Sequence, residues 1–111
     1  MARVYEGQRT PACCIVVVYP AGDLTRTEDL PRTARPGRRY PGGWEWGYGG
    51  TGPHQLAWDL LLHATGQPTT AAQLYRLFCI EVISRLHIGR WTLTQAEILA
   101  WVAEHPAVLI V

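Results

Sequence analysis

The sequence has no lysine, a single serine and only three cysteines among its 111 residues. Because it has no lysine, it cannot form a Walker A phosphate loop, which requires a Gly-Lys-Ser/Thr ending. The one serine, Ser84, falls within a predicted helix, which excludes a serine nucleophile on a strained strand-to-helix turn. The cysteines, with Cys13 and Cys14 adjacent, cannot build a disulfide framework, so we expect a reduced, cytoplasmic protein.

Charge and long apolar runs are scarce as well. Charged residues make up 17% of the chain and the formal net charge is +1, so no overall field draws the protein to nucleic acid or to a membrane surface. The longest apolar run near the start, residues 13–19, is too short to span a membrane. The first residues lack the apolar segment of a signal peptide, so we expect no cleaved leader. Hydrophobic residues still make up 48% of the chain, which excludes disorder throughout.

The order of predicted elements indicates a single α+β domain. A β-hairpin is predicted over residues 1–19, with its turn at residues 7–11, because β-branched residues dominate the second strand. Residues 20–43, rich in Pro, Gly, Thr and Arg, are predicted to form a long loop, and residues 44–52 a second, aromatic one. The apolar residues 107–111 predict a last strand that joins the hairpin. The expected fold is a small N-terminal sheet packed on about three helices.

Residues 53–105 carry the pattern of these three helices. The first is predicted to start at Pro53 and to end before Gly66, since proline favours the first helical position and glycine the position after the last. The third is predicted to begin at a capping box in which Thr94 is the N-cap and Glu97 its partner.

The second helix is predicted to be the most buried element. A capping box of Thr70 and Gln73 would begin it, and its apolar side chains cover more than one stripe, which indicates contacts on several sides. We expect Cys79 to be a buried apolar filler. The expected core includes six large residues of the helical half: Trp58, Leu60, Leu77, Ile80, Ile83 and Trp101.

One segment, residues 42–53, combines six of the eleven glycines with two tryptophans and a tyrosine. Glycine permits close approach of the backbone to another group, and the segment leads into a helix N-terminus, where free N–H groups favour an anion. Aromatic rings beside it can stack on a base or a sugar. The pattern predicts a phosphate or carboxylate cradle. The alternative, a tight glycine turn with the tryptophans in the core, stays open.

The predicted site has no metal, no cofactor and no catalytic residue. Arginines of the long loop would donate paired hydrogen bonds to phosphate. Glu45 would act as a general base or bind a ribose hydroxyl, although a solvated carboxylate is the simpler interpretation. Asp59 and His63, four residues apart, predict a surface ion pair. The predicted ligand-binding residues are Arg38, Arg39, Trp44, Glu45, Trp46, Tyr48, Gly49, Gly50, Thr51, Gly52 and His54.

Residues 46–57 read WGYGGTGPHQLA. This run resembles the core of an uncharacterised family of small bacterial, phage and plasmid proteins with the motif WGYGG-[ST]-GP-x-QLA. Residues 3–9 and 91–98 resemble its opening strand and the start of its last helix, whereas residues 20–41 depart from it. The resemblance brings no known activity, but the mobile-element setting implies a counter-defence or accessory role.

Three functions are compatible with these features. The first is a non-enzymatic binding protein for a small anionic, nucleotide-derived ligand, which in a phage would act as a sponge that sequesters an immune signalling nucleotide. The second is an anti-CRISPR-like inhibitor that binds a host defence complex, since Trp, Tyr and Arg dominate interfaces. The third is a small nucleotide hydrolase that uses His54 and Glu45. We also expect that so small a domain can form a homo-oligomer.

Overall fold

A computed structural model describes residues 2–33 and 43–106, which form a four-stranded antiparallel sheet with three α-helices packed on it. The α+β class predicted from the sequence is confirmed. The sheet has the order β3-β2-β1-β4. The strands are β1 (Arg3–Arg9), β2 (Cys14–Pro20), β3 (Glu28–Asp29) and β4 (Arg90–Thr94). The helices are α1 (Thr51–Thr65), α2 (Pro68–Glu81) and α3 (Gln95–Glu104). The strand predicted over residues 107–111 lies outside the described residues.

The N-terminal hairpin is present, but its turn lies later than the predicted residues 7–11. Strands β1 and β2 pair from Arg3 opposite Pro20 up to the turn. The turn is closed by the amide of Thr10, which donates to the carbonyl of Cys13 at 2.8 Å. Each strand therefore has seven residues, and Gly7 belongs to β1.

Strand β4 is an element that the sequence pattern did not predict. It pairs antiparallel with β1, and Gly7 lies opposite Trp91. The Trp91 indole occupies the space beside this glycine, since a Cβ atom on Gly7 would lie 2.3 Å from the ring. Any larger residue at position 7 would displace the ring, which explains a glycine in mid-strand.

Helix α1, and not α2, is the most buried element. Ten of its fifteen residues are buried, and Trp58 and Leu60 are among them as predicted. By contrast α2 ends at Glu81, and two of its predicted core residues, Leu77 and Ile80, are 37% and 62% exposed. The prediction that the second helix is the most buried was therefore wrong.

The remaining core predictions differ in outcome. Ile83 and Cys79 are fully buried as expected. Trp101 is only partly buried; its ring packs against Phe78 with centroids 4.9 Å apart, and its indole N–H donates to Glu81 at 3.1 Å. Trp101 therefore closes the space between α2 and α3 at the surface rather than in the interior.

Two of the predicted helix ends are confirmed, and two predicted helix starts differ from the structure. Gly66 ends α1 with a φ of 68°, and the Thr94 capping box begins α3. Helix α1 begins at Thr51, two residues before the predicted Pro53. Helix α2 begins at Pro68, so Thr70 lies inside its first turn and the predicted capping box was wrong. No helix in the described residues is long and apolar enough to cross a membrane.

Candidate functional site

The glycine-rich segment lies along the first turn of α1. Gly50 precedes the helix with a φ of 155°, and the amide of His54 donates to its carbonyl at 2.9 Å. Pro53 has no N–H group. A Cβ atom on Gly52 would lie 2.9 Å from Cβ of Glu45, so this glycine permits the chain to pass over the helix. Because of Pro53, the first turn of α1 lacks one of the free amide donors that an anion at a helix start would use.

The three aromatic residues of the segment have different surroundings. Trp46 is fully buried, and its indole N–H donates to the carbonyl of Ile88 at 2.9 Å. It is a core residue, which argues against Trp46 as the ring that stacks on a ligand among the three predicted, Trp44, Trp46 and Tyr48. Trp44 is half-buried, and Tyr48 is 49% exposed with its ring against Gly50. Only these two rings remain accessible to a ligand.

A buried carboxylate holds Trp44 in place. Asp59 is 1% exposed, and it accepts from the indole of Trp44 at 2.8 Å and from the Thr33 hydroxyl and amide at 2.6 and 3.1 Å. The Gln55 amide also donates to Asp59, at 3.1 Å, and to the carbonyl of Thr33, at 2.7 Å. Trp58 donates to the Thr33 hydroxyl at 2.9 Å. These bonds attach two distant segments to α1.

Asp59 and His63 do not form the predicted surface ion pair. The carboxylate points into the buried network, where it accepts hydrogen bonds from neutral donors. His63 instead contacts Tyr5 on β1, with Nδ1 2.8 Å from the hydroxyl oxygen. The i,i+4 spacing was therefore misleading, because the two side chains face different neighbours.

An arginine at the end of β1 is paired with Glu45. Two N–H groups of Arg9 donate to the two carboxylate oxygens at 2.7 and 3.2 Å, and its Nε donates to the carbonyl of Ile88 at 2.9 Å. The Cys14 thiol lies 3.5 Å from the same carboxylate. The guanidinium also lies 5.2 Å from the centroid of the Trp46 ring. This arrangement fixes the guanidinium on several sides.

These contacts decide the protonation of Glu45 and Cys14. The hydrogen bond from Arg9 holds the pKa of Glu45 below its ordinary value. Burial, and then the adjacent carboxylate, raises the pKa of the Cys14 thiol. Glu45 is therefore an ionised partner of Arg9 and a weak base, which argues against the predicted role as a general base.

An open cleft of about 530 Å³ lies beside the Arg9–Glu45 pair. Its volume is within the roughly 300–1,000 Å³ of small-molecule sites. Two predicted residues line it, while Arg9 and the hairpin turn were not predicted as site residues, because they lie far before the glycine segment in the chain. The lining residues are Arg9, Thr10, Pro11, Ala12, Cys13, Cys14, Gly43, Trp44 and Glu45.

The other predicted residues that the structure describes are not brought into this cleft. His54 faces Tyr75 instead, with ring centroids 5.8 Å apart, and Gly49 and Thr51 are exposed at the helix start. Arg38 and Arg39 lie outside the described residues, so their contact with a ligand stays a prediction. The described part of the chain has no group of three His, Cys, Asp or Glu side chains that could hold a metal ion.

Residues 5–104 match the family of unknown function DUF6166. The chain belongs to this family. The matched region extends from β1 to the end of α3 and includes the residues that line the cleft and the glycine-rich segment. No curated protein and no solved structure matches the chain. Membership of DUF6166 brings no known activity.

Proposed function

We propose that the chain is a non-enzymatic binding protein for a small anionic, nucleotide-derived ligand, which binds in the cleft beside Arg9. The observation that carries this proposal is the preorganised guanidinium. Arg9 has five N–H donors, and its contacts with Glu45 and Ile88 use three of them. Its side chain is 31% exposed. Two N–H groups therefore remain, one on Nη1 and one on Nη2. They point to opposite sides of the planar guanidinium, so each can donate one charge-assisted hydrogen bond to a ligand oxygen.

Trp44 supports the nucleotide part of the proposal. Its ring lines the cleft, and the 2.8 Å bond to Asp59 restrains its rotation. A half-buried indole held in this way presents a fixed face to a planar base, and such stacking contributes about 1–3 kcal/mol per base. The net charge of the Arg9–Glu45 pair is zero. We therefore propose that Arg38 and Arg39 supply the further positive charge a phosphate requires.

Sequestration is the biological role that we propose for such a site. The carboxylate of Glu45 is held ionised by Arg9, which favours binding over hydrolysis. The sequence resemblance to phage and plasmid proteins suggests an immune signalling nucleotide as the ligand. A cytoplasmic location, suggested by the three free cysteines, belongs to the same proposal.

Calorimetry with mononucleotides, cyclic dinucleotides and ADP-ribose tests the proposal, together with mass spectrometry of small molecules released by heat. We expect Arg9→Gln to weaken the binding of a retained nucleotide at least tenfold. Arg85→Gln, which removes the same charge from an exposed 3-10 turn, is the matched control. If no nucleotide binds the parent protein, or if both variants bind it equally well, the proposal is wrong.

A second candidate is an inhibitor that binds a host protein. The observation that favours it is a set of exposed large apolar side chains, a residue type that interaction surfaces use. The most exposed are Leu24, Ile80, Ile88 and Tyr48, at 68%, 62%, 51% and 49%. In this case Ile80→Ser would abolish inhibition and Arg9→Gln would not. Light scattering of the parent protein tests whether it forms a homo-oligomer, and the same measurement on Ile80→Ser tests whether this surface pairs the copies.

A further inference from the structure

A second, smaller pocket lies near the other end of β1 from Arg9. Its volume is about 190 Å³, and two arginines, Arg3 and Arg26, line it together with Glu28 and His63. The register of the sheet explains this grouping. Tyr5 on β1 lies opposite Val18, and Val18 lies opposite Glu28, so a row of side chains crosses three strands on one face.

The helix that covers this face supplies His63. Arg3 precedes Tyr5 by two residues and therefore points to the same face of the sheet. The Tyr5 hydroxyl lies 2.8 Å from Nδ1 of His63, and the two rings meet edge to face with centroids 5.5 Å apart. The tyrosine is fully buried, so this contact fixes the orientation of the imidazole.

The buried hydroxyl also decides which nitrogen of His63 carries the hydrogen. Burial raises the pKa of Tyr5 to about 12, so it keeps its proton, and a buried O–H group requires an acceptor. Nδ1 is that acceptor, which leaves the hydrogen of the neutral ring on Nε2. Burial lowers the pKa of His63, and the nearby Arg3 lowers it further. Nε2 forms no hydrogen bond within residues 2–33 and 43–106, so His63 can offer an N–H donor to the pocket.

The charge of the pocket is positive. Neither Arg3 nor Arg26 forms an ion pair with any described residue, and one carboxylate, that of Glu28, lines the pocket with them. Two guanidinium groups and one carboxylate leave an excess of one positive charge beside the neutral imidazole. The two guanidinium groups and the imidazole N–H can donate hydrogen bonds to an anion, and one carboxylate, that of Glu28, opposes them.

We propose that this pocket binds a small oxyanion, the phosphate or carboxylate group of a metabolite, through Arg3, Arg26 and the Nε2 hydrogen of His63. A volume of about 190 Å³ accepts such a group with a short attached chain. It lies below the roughly 300 Å³ at which drug-sized ligand sites begin. The site uses none of the residues that line the cleft beside Arg9, so it does not depend on the function proposed above.

The test uses inorganic phosphate, acetate and glycerol 3-phosphate as probes of the whole protein. Nitrogen-15 spectra of the imidazoles follow the Nε2 signal of His63, and calorimetry gives the affinities. We expect phosphate compounds or carboxylates to shift this signal with saturation at millimolar concentration or below. Stronger binding of glycerol 3-phosphate than of phosphate would indicate a phosphate ester as the ligand, and a preference for acetate would indicate a carboxylate.

Variants then locate the anion. The double variant Arg3→Gln/Arg26→Gln is expected to weaken binding at least tenfold, because charge-assisted hydrogen bonds are lost. Both residues are exposed, so the fold should persist, which circular dichroism checks. The matched control Arg76→Gln/Arg85→Gln removes two charges elsewhere and should change affinity less than threefold.

Two results would overturn the proposal. The first is that none of the three probes shifts the His63 signal of the parent protein. The second is that the control double variant loses as much affinity as the pocket variant, since binding would then follow overall charge and not this site. Failure of nucleotide binding in the Arg9 cleft would not affect either result.

Discussion

Helices α1 and α2 follow each other in the chain and have fifteen and fourteen residues, yet ten residues of α1 are buried and four of α2. Both contain large aliphatic side chains. The difference lies in what covers them. The sheet meets α1 through the Tyr5–His63 contact. Thr33 and Trp44, from two other segments, bond to Asp59 of α1, and Glu45 lies against Gly52 in its first turn. Polar groups that hold distant segments in place thus decide which helix becomes the interior.

The largest expected effect is the loss of a core side chain from α1. Leu60 is fully buried, so Leu60→Ala should lower the free energy of unfolding by about 2–5 kcal/mol, through lost transfer energy and a residual cavity. Urea denaturation monitored by tryptophan fluorescence measures it. A loss below about 1 kcal/mol would show that α1 is not the centre of the core.

The next effect concerns the network that covers α1. Asp59→Asn places an amide N–H group opposite a donor from Thr33, Trp44 or Gln55, so one buried donor loses its acceptor. We expect a loss of about 1–3 kcal/mol in unfolding free energy. The same denaturation experiment measures it, with Glu104→Gln on the exposed end of α3 as the control. Unchanged stability would mean that the covering segments are held by apolar contacts.

The sequence predicted the features that depend on a few neighbouring residues. The Thr94 capping box and the Gly66 helix end were correct because the residues that form them lie close together in the chain. The Thr70 box is equally local but was wrong, because Pro68, two residues earlier, already begins α2. Strand β4 was missed, since its five residues sit between helical signals and their partner strand lies at the other end of the chain.

The candidate site also depends on residues that lie far apart in the chain, which the sequence pattern does not reveal. The sequence singled out Trp44 and Trp46 together, but only the fold determines that Trp46 is core while Trp44 lines a cleft. Arg9 was missed because nothing near it in the chain points to Glu45, its partner 36 residues away. Local composition located the loop, whereas long-range pairing determines which of its side chains a ligand could reach.

A smaller effect is expected at the second segment that covers α1. Arg9 holds the pKa of Glu45 below its ordinary value of 4.5, so the ionised pair stabilises the fold fully above that pH. This stabilisation is lost as the pH falls through the lower pKa of the folded state. The pair is about one-third exposed, so we expect less than about 1 kcal/mol. Arg9→Gln should make the acid limb of a stability–pH curve shallower, and an unchanged curve would contradict the assignment.

The smallest effect is expected on the open side of α2. Ile80 is 62% exposed, so Ile80→Ala should change the free energy of unfolding by no more than about 0.5 kcal/mol. The comparison with Leu60→Ala in the same denaturation experiment is the sharpest measure of the difference between the two helices. A loss above 2 kcal/mol would show that another surface covers this side in solution.

The position of β1 between β2 and β4 has a consequence for synthesis on the ribosome. Its first partner follows after a four-residue turn, but the second begins only at Arg90, opposite Gln8. At about 5–20 residues per second, some 80 residues take roughly 4–16 s to translate. During that time one edge of β1 displays unpaired N–H and C=O groups that a neighbouring nascent chain can bind. Slower translation of residues 21–89 should therefore lengthen the period in which the β1 strands of two nascent copies can pair with each other.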